Sequence, residues 1–386
     1  MSQKIVIDPV TRVEGHGKVT IHLDENNKVK DSFFHIVEFR GFEKFIQGHP
    51  YWEAPVMVQR LCGICRVSHH LAAAKAIDQI VGLEPDDLSI TAQKIRKLLH
   101  FGQIFQSHAL HFFYLASPDL LFGMDASPNK RNLVEVAMAY PELAKKGILM
   151  RNFGQEIIKM IAGKRIHGIS ATPGGVHKKI SAQERDFFLN GKEIPSVDAM
   201  IEWSREILEF IKVYHSKNRS WFDEFATFPS GHLGLVDKKT GNLELYDGYL
   251  RAIDASGKIT LDDIPADTYQ NYFYEGVEKW SYLKFPYLKH LGREQGWNRV
   301  GPLARMNVSE GISTPLAAFE RLSFLNATRG KTNNASMYSH WARLIELLHC
   351  AELMKDLLED DDILGSDLVR RGNRRNEGIG IIEAPR

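Results

Sequence analysis

Arg60-Leu-Cys-Gly-Ile-Cys-Arg-Val-Ser-His-His70 sets two thiols around a glycine, a residue that lets the backbone turn tightly enough for both sulfurs to point at one metal ion. With a helix starting near Cys65, His69 lies one turn on, on the same face. The residues alone leave several readings open. A structural zinc site needs two more ligands and usually a second close pair, yet Cys350 stands solitary in an apolar helix. A thioredoxin-type dithiol wants a small βαβ setting, which the surrounding pattern lacks. Two chemically idle buried cysteines are the plain structural reading. The remaining one is a soft transition-metal centre completed by further ligands, since thiolates favour nickel, iron or copper over hard ions.

On the carboxyl side of the pair the pattern turns helical. Residues 68–81 are rich in Ala and Leu, and Ile95, Leu98, Leu99, Phe105, Ala109 and Phe112 recur at roughly helical spacing across 89–115. Further helices are predicted over 141–162, 196–222 and 339–358, the last with Trp341, Leu344, Ile345 and Leu348 on one stripe. On the amino side, Lys18-Val-Thr-Ile-His22 and Phe33-Phe-His-Ile-Val37 alternate about the turn Asp24-Glu-Asn-Asn27, which predicts a small antiparallel sheet. Residues 225–302 read as short strands and loops, including Leu243-Glu-Leu-Tyr-Asp247. Near the end, the polar run 367–376 reads as a solvated loop and Gly378-Ile-Gly-Ile-Ile382 as a strand. The expected fold is α+β and predominantly α. It forms one domain over 1–386, with an N-terminal sheet at 1–50, a helical body at 51–222, a β-rich insertion at 223–302 and a helical return with a strand at 303–386.

The 386 residues, 44% hydrophobic and 25% charged, suit a folded globular chain and exclude disorder and low-complexity scaffolds. Lys and Arg number 49 against 48 Asp and Glu, so no whole-chain field points to nucleic acid as a partner. No run reaches the ~18 apolar residues of a membrane span. The start, Met-Ser-Gln-Lys-Ile-Val-Ile-Asp-Pro9, lacks a signal peptide's apolar core, and the expected location is cytoplasmic. Three cysteines cannot build a disulfide framework and suit a reducing compartment.

Two further motifs lie upstream of the cysteine pair. Asp8-Pro-Val-Thr-Arg-Val-Glu-Gly-His16 packs two carboxylates and two cationic-capable groups into one short run, and Arg40-Gly-Phe-Glu43 adds another carboxylate. Taken singly, Glu14 and Glu43 read more readily as exposed or ion-paired groups. Taken with Arg60-Leu-Cys-Gly-Ile-Cys65 and His69, Ser107-His-Ala-Leu-His111, Pro173-Gly-Gly-Val176, Gly301-Pro-Leu-Ala-Arg305 and Glu383-Ala-Pro-Arg386, they form an ordered set spanning the chain. That set resembles the large, catalytic subunit of nickel-iron hydrogenases. Ser107-His-Ala-Leu-His-Phe-Phe-Tyr-Leu-Ala-Ser-Pro-Asp119 and Gly123-Met-Asp-Ala126 look most like the soluble, bidirectional, NAD-linked members.

The resemblance implies a division of labour. Cys62 would be a terminal thiolate on nickel, and Cys65 would bridge nickel to an iron carrying carbon monoxide and cyanide. His69 would donate a hydrogen bond toward the bridging sulfur. Glu43 would bind magnesium or a similar divalent ion through oxygen. Glu14 would be the first station of the proton path, on the reasoning that a buried carboxylate has a raised pKa and passes protons near neutrality. Arg386 would hang over the open metal position with Pro385 beside the iron ligands, and Asp119 would join that canopy. The implied reaction is reversible heterolytic cleavage of H2 into protons and electrons. The implied partners are a small subunit with iron-sulfur clusters and a flavin-containing diaphorase module that reduces NAD.

The resemblance also implies a second thiolate pair, in an Asp-Pro-Cys motif followed by another Cys and a His, which these residues do not contain. The chain is therefore expected to be truncated at its carboxyl end and inactive as it stands. Two rival functions share the fold. One is a hydrogen sensor whose slow turnover serves signalling; the other is a non-catalytic, complex I-like structural subunit, against which Cys62 and Cys65 argue.

Overall fold

Capping chemistry sets where the long helices begin and end. Helix α1 spans Arg66–Ile80, and helix α2, Ile90–Leu110, starts where the Ser89 hydroxyl accepts the Ala92 amide at 3.1 Å. Helix α3, Pro141–Ala162, carries proline in its first turn, where no amide donor is needed, and ends at Gly163 in the left-handed conformation. Helix α4, Val197–Lys217, is capped by the Ser196 hydroxyl. The return is made of α5, Pro302–Val308, α6, Pro315–Ala327, and α7, Tyr338–Glu359. The computed structural model describes residues 3–386, the side chain of Ala266 aside.

One apolar core joins these helices. Ile95, Leu98, Leu99 and Phe105 of α2, Met150 and Phe153 of α3, Leu208 and Ile211 of α4, and Leu344, Ile345 and Leu348 of α7 are all fully enclosed. A short helix at Leu133–Ala139 and another at Ala182–Asn190 fill in beside them. After α2 the chain passes through a π-helical turn, His111–Ala116, before a final helical piece at Ser117–Phe122. Hydrophobic periodicity carries no marker for that widening. Among the described residues no helix is long and apolar enough to cross a membrane.

The expected N-terminal sheet is present as β1, Lys4–Ile7, β2, Gly17–Leu23, and β3, Val29–Ile36, antiparallel in that order. Its turn is closed by the Asp24 carboxylate, which accepts the amides of Asn26 and Lys28. The later strands are β4, Gly231–Val236, β5, Tyr249–Ile253, and β6, Ile259–Pro265, in one sheet, then the hairpin β7, Phe273–Glu278, with β8, Ser281–Leu288. They enclose a satellite core of Leu235, Leu250, Ala252, Leu261 and Leu288. The architecture is α+β with helices dominant, as the patterning predicts. The segment Leu243–Asp247 is loop rather than strand, joined to β4 by an isolated bridge from Leu243 to Val236 and by the Glu244 amide donating to Leu235 O.

The terminal segment also departs from the reading. Gly378–Ile382 forms no strand; it runs as irregular extended chain antiparallel to α1. The exposed run before it is not free either. The Gly372 amide donates to Val81 O, and the Arg375 amide to Ile80 O at 2.7 Å.

Candidate metal centre

The site is assembled at the first turn of α1. Cys62 lies in extended backbone (φ −151°, ψ 130°), and Cys65 is the residue on which the helix starts. The Cys65 amide, one of the free donors of that helix start, reaches Cys62 Sγ at 3.2 Å. His69 follows one turn later, with Nε2 3.5 Å from Cys65 Sγ. From the loop between β1 and β2, Glu14 accepts the Cys62 thiol at 3.5 Å, and the Arg386 guanidinium lies 3.5 Å from the other oxygen of the same carboxylate. Two thiols, an imidazole, a carboxylate and a guanidinium thus converge from three distant parts of the sequence.

The glycine between the cysteines has a different role from the one expected. Gly63 has no left-handed φ, and a Cβ there would meet nothing within 4 Å. What braces the loop is Arg66, whose buried guanidinium donates to Gly63 O at 2.6 Å and also to Arg165 O. Hydrogen bonding from the Cys65 thiol, helped by the amides of Cys65 and Ile64, brings Cys62 down to about 7 against the effect of burial. That same pairing with Cys62, together with burial, pushes the Cys65 thiol up. Burial lowers His69, so its ring is held neutral.

The remaining candidates fall in varied places. Glu14 is not buried: its side chain is 46% exposed, so the premise of an enclosed carboxylate does not hold. Asp119 meets Arg12 at 2.8 Å and Arg131 at 3.2 Å rather than Arg386, because Arg12 reaches across from the β1–β2 loop and also bonds Leu115 O. Glu43 stands exposed at the surface, paired with Arg40. Pro385 is buried beside the thiol site's closing arginine, and its carbonyl accepts from Arg305. Cys350 is enclosed in α7, away from any partner thiol. The sulfur pair with a neutral imidazole is a soft donor set that fits nickel or iron. Among the described residues no three His, Cys, Asp or Glu groups form a complete metal cage.

Comparison with known proteins decides the family. Residues 4–39 match a HoxL-like family, and residues 40–131 match the nickel-dependent hydrogenases. The NAD-reducing hydrogenase HoxS subunit beta of Cupriavidus necator is 49% identical over 393 residues, covering 100% of this chain and 80% of that protein. The chain belongs to the nickel-dependent hydrogenase family. A polypeptide of the vhu F420-non-reducing hydrogenase of Methanocaldococcus jannaschii is 42% identical over 384 residues, covering 99% of this chain and 89% of its own. A solved NAD+-reducing [NiFe]-hydrogenase in the H2-reduced state superposes with a TM-score of 0.95 at 49% identity, covering 99% of this chain and 83% of that one. The Ni-Fe-Se hydrogenase of D. vulgaris Hildenborough shares the fold, with a TM-score of 0.74 at 22% identity, over 96% of this chain and 82% of that one.

In this hydrogenase chain, α1 also guides the segment that delivers Arg386. A Cβ on Gly378 would stand 2.1 Å from Ala76 O, and one on Gly380 2.1 Å from Ala72 O, so both glycines lie flush on the helix. The spacing is matched: two extended residues advance about 6.6 Å, and the four helical residues from Ala72 to Ala76 rise about 6 Å. Gln79 Oε1 accepts the Ile379 amide at 2.7 Å, and Lys75 Nζ donates to Ile381 O at 2.8 Å. Sequence reading missed this helper set, and it missed Arg305 and Glu346, a buried pair joining α5 to α7. The one signal for it was the hydrogenase-like Gly301-Pro-Leu-Ala-Arg305 motif.

Proposed function

We propose that Cys62 and Cys65 are two of the thiolate ligands of a nickel-iron centre. In this reading the chain, completed by the second thiolate pair that the resemblance implies, catalyses reversible heterolytic cleavage of H2 and passes electrons to NAD through its partners. When bound, that centre, with carbon monoxide and cyanide on its iron, supplies the metal polarisation that makes dihydrogen acidic enough to split. The chain's own residues handle ligation, orientation and the proton. Cys62, brought down to about 7 by its hydrogen bonds, is ready to ionise near neutrality. His69, neutral and 3.5 Å from Cys65 Sγ, tunes that sulfur. Glu14, at 3.5 Å from Cys62 Sγ and half exposed, takes a proton from the sulfur side and returns it toward water. Arg386 orients Glu14 from the opposite side, while Asp119 fixes Arg12, two residues before Glu14.

In this reading Glu43 offers one carboxylate to a magnesium-like ion. A flavin-bearing diaphorase module and an iron-sulfur small subunit complete the electron route, in the cytoplasm. The observation that carries the proposal is the meeting of Glu14, Cys62, Cys65, His69 and Arg386 at one point. The test is nickel and iron content, with the infrared bands of bound carbon monoxide and cyanide, on enzyme produced beside its maturation factors. Both metals and those bands are expected. Their absence, or a Cys65→Ala variant that still assembles the centre and turns over hydrogen, would defeat the assignment.

A further inference from the structure

We infer that Arg305 is a positioning residue that fixes Arg386 over the thiol pair by clamping the three residues before it. The inference rests on the proposed role of the Cys62 and Cys65 site. Arg305 is 1% exposed, and all five of its N–H donors are used. Nε and Nη2 grip the two oxygens of Glu346 on α7, each at 2.7 Å. On the other side, Nη1 donates to the Glu383 carboxylate and to Ala384 O, both at 2.9 Å, and Nη2 reaches Pro385 O at 3.1 Å. Three consecutive residues are therefore pinned, leaving Arg386 little freedom beyond its own side chain.

The inner half of the clamp is itself anchored. His108 on α2 donates to Glu346 at 2.9 Å, and Arg343 lies 3.4 Å from the other ring nitrogen of His108. Burial opposes ionisation of Glu346, yet the Arg305 charge and the hydrogen bonds from Arg305 and His108 outweigh it, taking Glu346 down to about 2. Glu346 stays anionic and holds the guanidinium plane fixed from behind. The outer half is continued by Leu235, whose amide donates to Glu383 at 2.8 Å, and by the Glu383 amide donating to Leu245 O. A lysine cannot replace this arrangement, because its three donors radiate from a single nitrogen rather than a planar fork.

The experiment compares Arg305→Lys, Arg386→Ala and the double variant in the assembled, metal-loaded enzyme, with hydrogen exchange of residues 378–386 followed by mass spectrometry. Arg305→Lys is expected to lower kcat about 10²-fold, the scale of a 1 Å misplacement at a reacting site. It should also speed exchange of the terminal segment and shift the infrared bands. With Arg386→Ala already present, adding Arg305→Lys is expected to cost nothing further. Losses that multiply in the double variant, or exchange that stays as slow as in the parent, overturn the inference. Should Arg305→Lys not fold, Glu383→Ala, which removes the side-chain acceptor of Arg305 and of the Leu235 amide and leaves the Glu346 bonds in place, must give the same pattern. Failure of the metal assignment would show instead as missing nickel in the parent, while the exchange measurement still decides the clamp.

Discussion

Replacing Gly380 by alanine is the sharpest probe of how the terminal segment is held. The added carbon would stand 2.1 Å from Ala72 O, 2.7 Å from Ala76 N and 2.8 Å from Lys75 Cβ. Carbon needs about 3.3 Å from a carbonyl oxygen, and helical backbone does not give way. The segment must lift by about 1 Å, an overpacking cost of about 1–3 kcal/mol. That lift also stretches the neighbouring Lys75 bond to Ile381 O, 2.8 Å at rest, beyond hydrogen-bonding range. In a chain of this size about 2 kcal/mol moves the melting temperature by only a few degrees, so amide exchange is the more sensitive assay. Exchange at Ile379 and Glu383 should accelerate, and hydrogen turnover should fall about 10²-fold as Arg386 shifts. Gly276→Ala is the control, since its nearest atom would lie at an ordinary 3.4 Å. If Gly380→Ala behaves like Gly276→Ala in both assays, the flush packing on α1 is not what places the guanidinium.

Other outcomes follow from the buried charges. Burial lowers His70 and His349 to about 4 and His100 to about 3. The unfolded chain therefore binds more protons, and the stability these rings contribute above pH ~6.5 is lost as pH falls toward 4, by up to about 3 kcal/mol each. Urea midpoints should hold between pH 7.5 and about 6.5 and then drop toward pH 5, and a profile flat down to pH 5 would contradict this. In metal-free chain, alkylation of Cys62 should rise through about pH 7, whereas Cys350, pushed up by burial, stays inert until unfolding. Equal rates at the two thiols would overturn the assignment of the reactive one. Asp78→Ala should destabilise by about 3–5 kcal/mol by leaving the fully buried Arg96 uncompensated. A loss under about 1 kcal/mol in denaturant titration would show that Arg96 finds other partners.

Legibility in the sequence followed the range of the interactions. Helix α3 was readable over its full length, because an amphipathic period and the Pro141 and Gly163 boundaries are local properties. Cys62, Cys65 and His69 were readable for the same reason: one helix start sets all three. Gly378–Ile382 was not, since alternating glycine and isoleucine look the same whether the chain meets a strand or a helix surface. Arg305 and Glu346 look like surface charges on helices until tertiary packing encloses them as a pair. The exposure of Glu14 and the diversion of Asp119 to Arg12 and Arg131 both depend on how one loop folds over the body, which no local pattern encodes.

Matched pitch between α1 and the strap beside it makes the strap's length a fixed quantity. One residue added between Gly380 and Arg386 would advance the backbone by about 3.3 Å and carry the guanidinium past Glu14. Sequences descending from this one can drift in length at exposed hairpin tips such as Asp254 to Lys258, where a single Asp carboxylate organises the turn. Along α1 they can exchange side chains, but they cannot count differently.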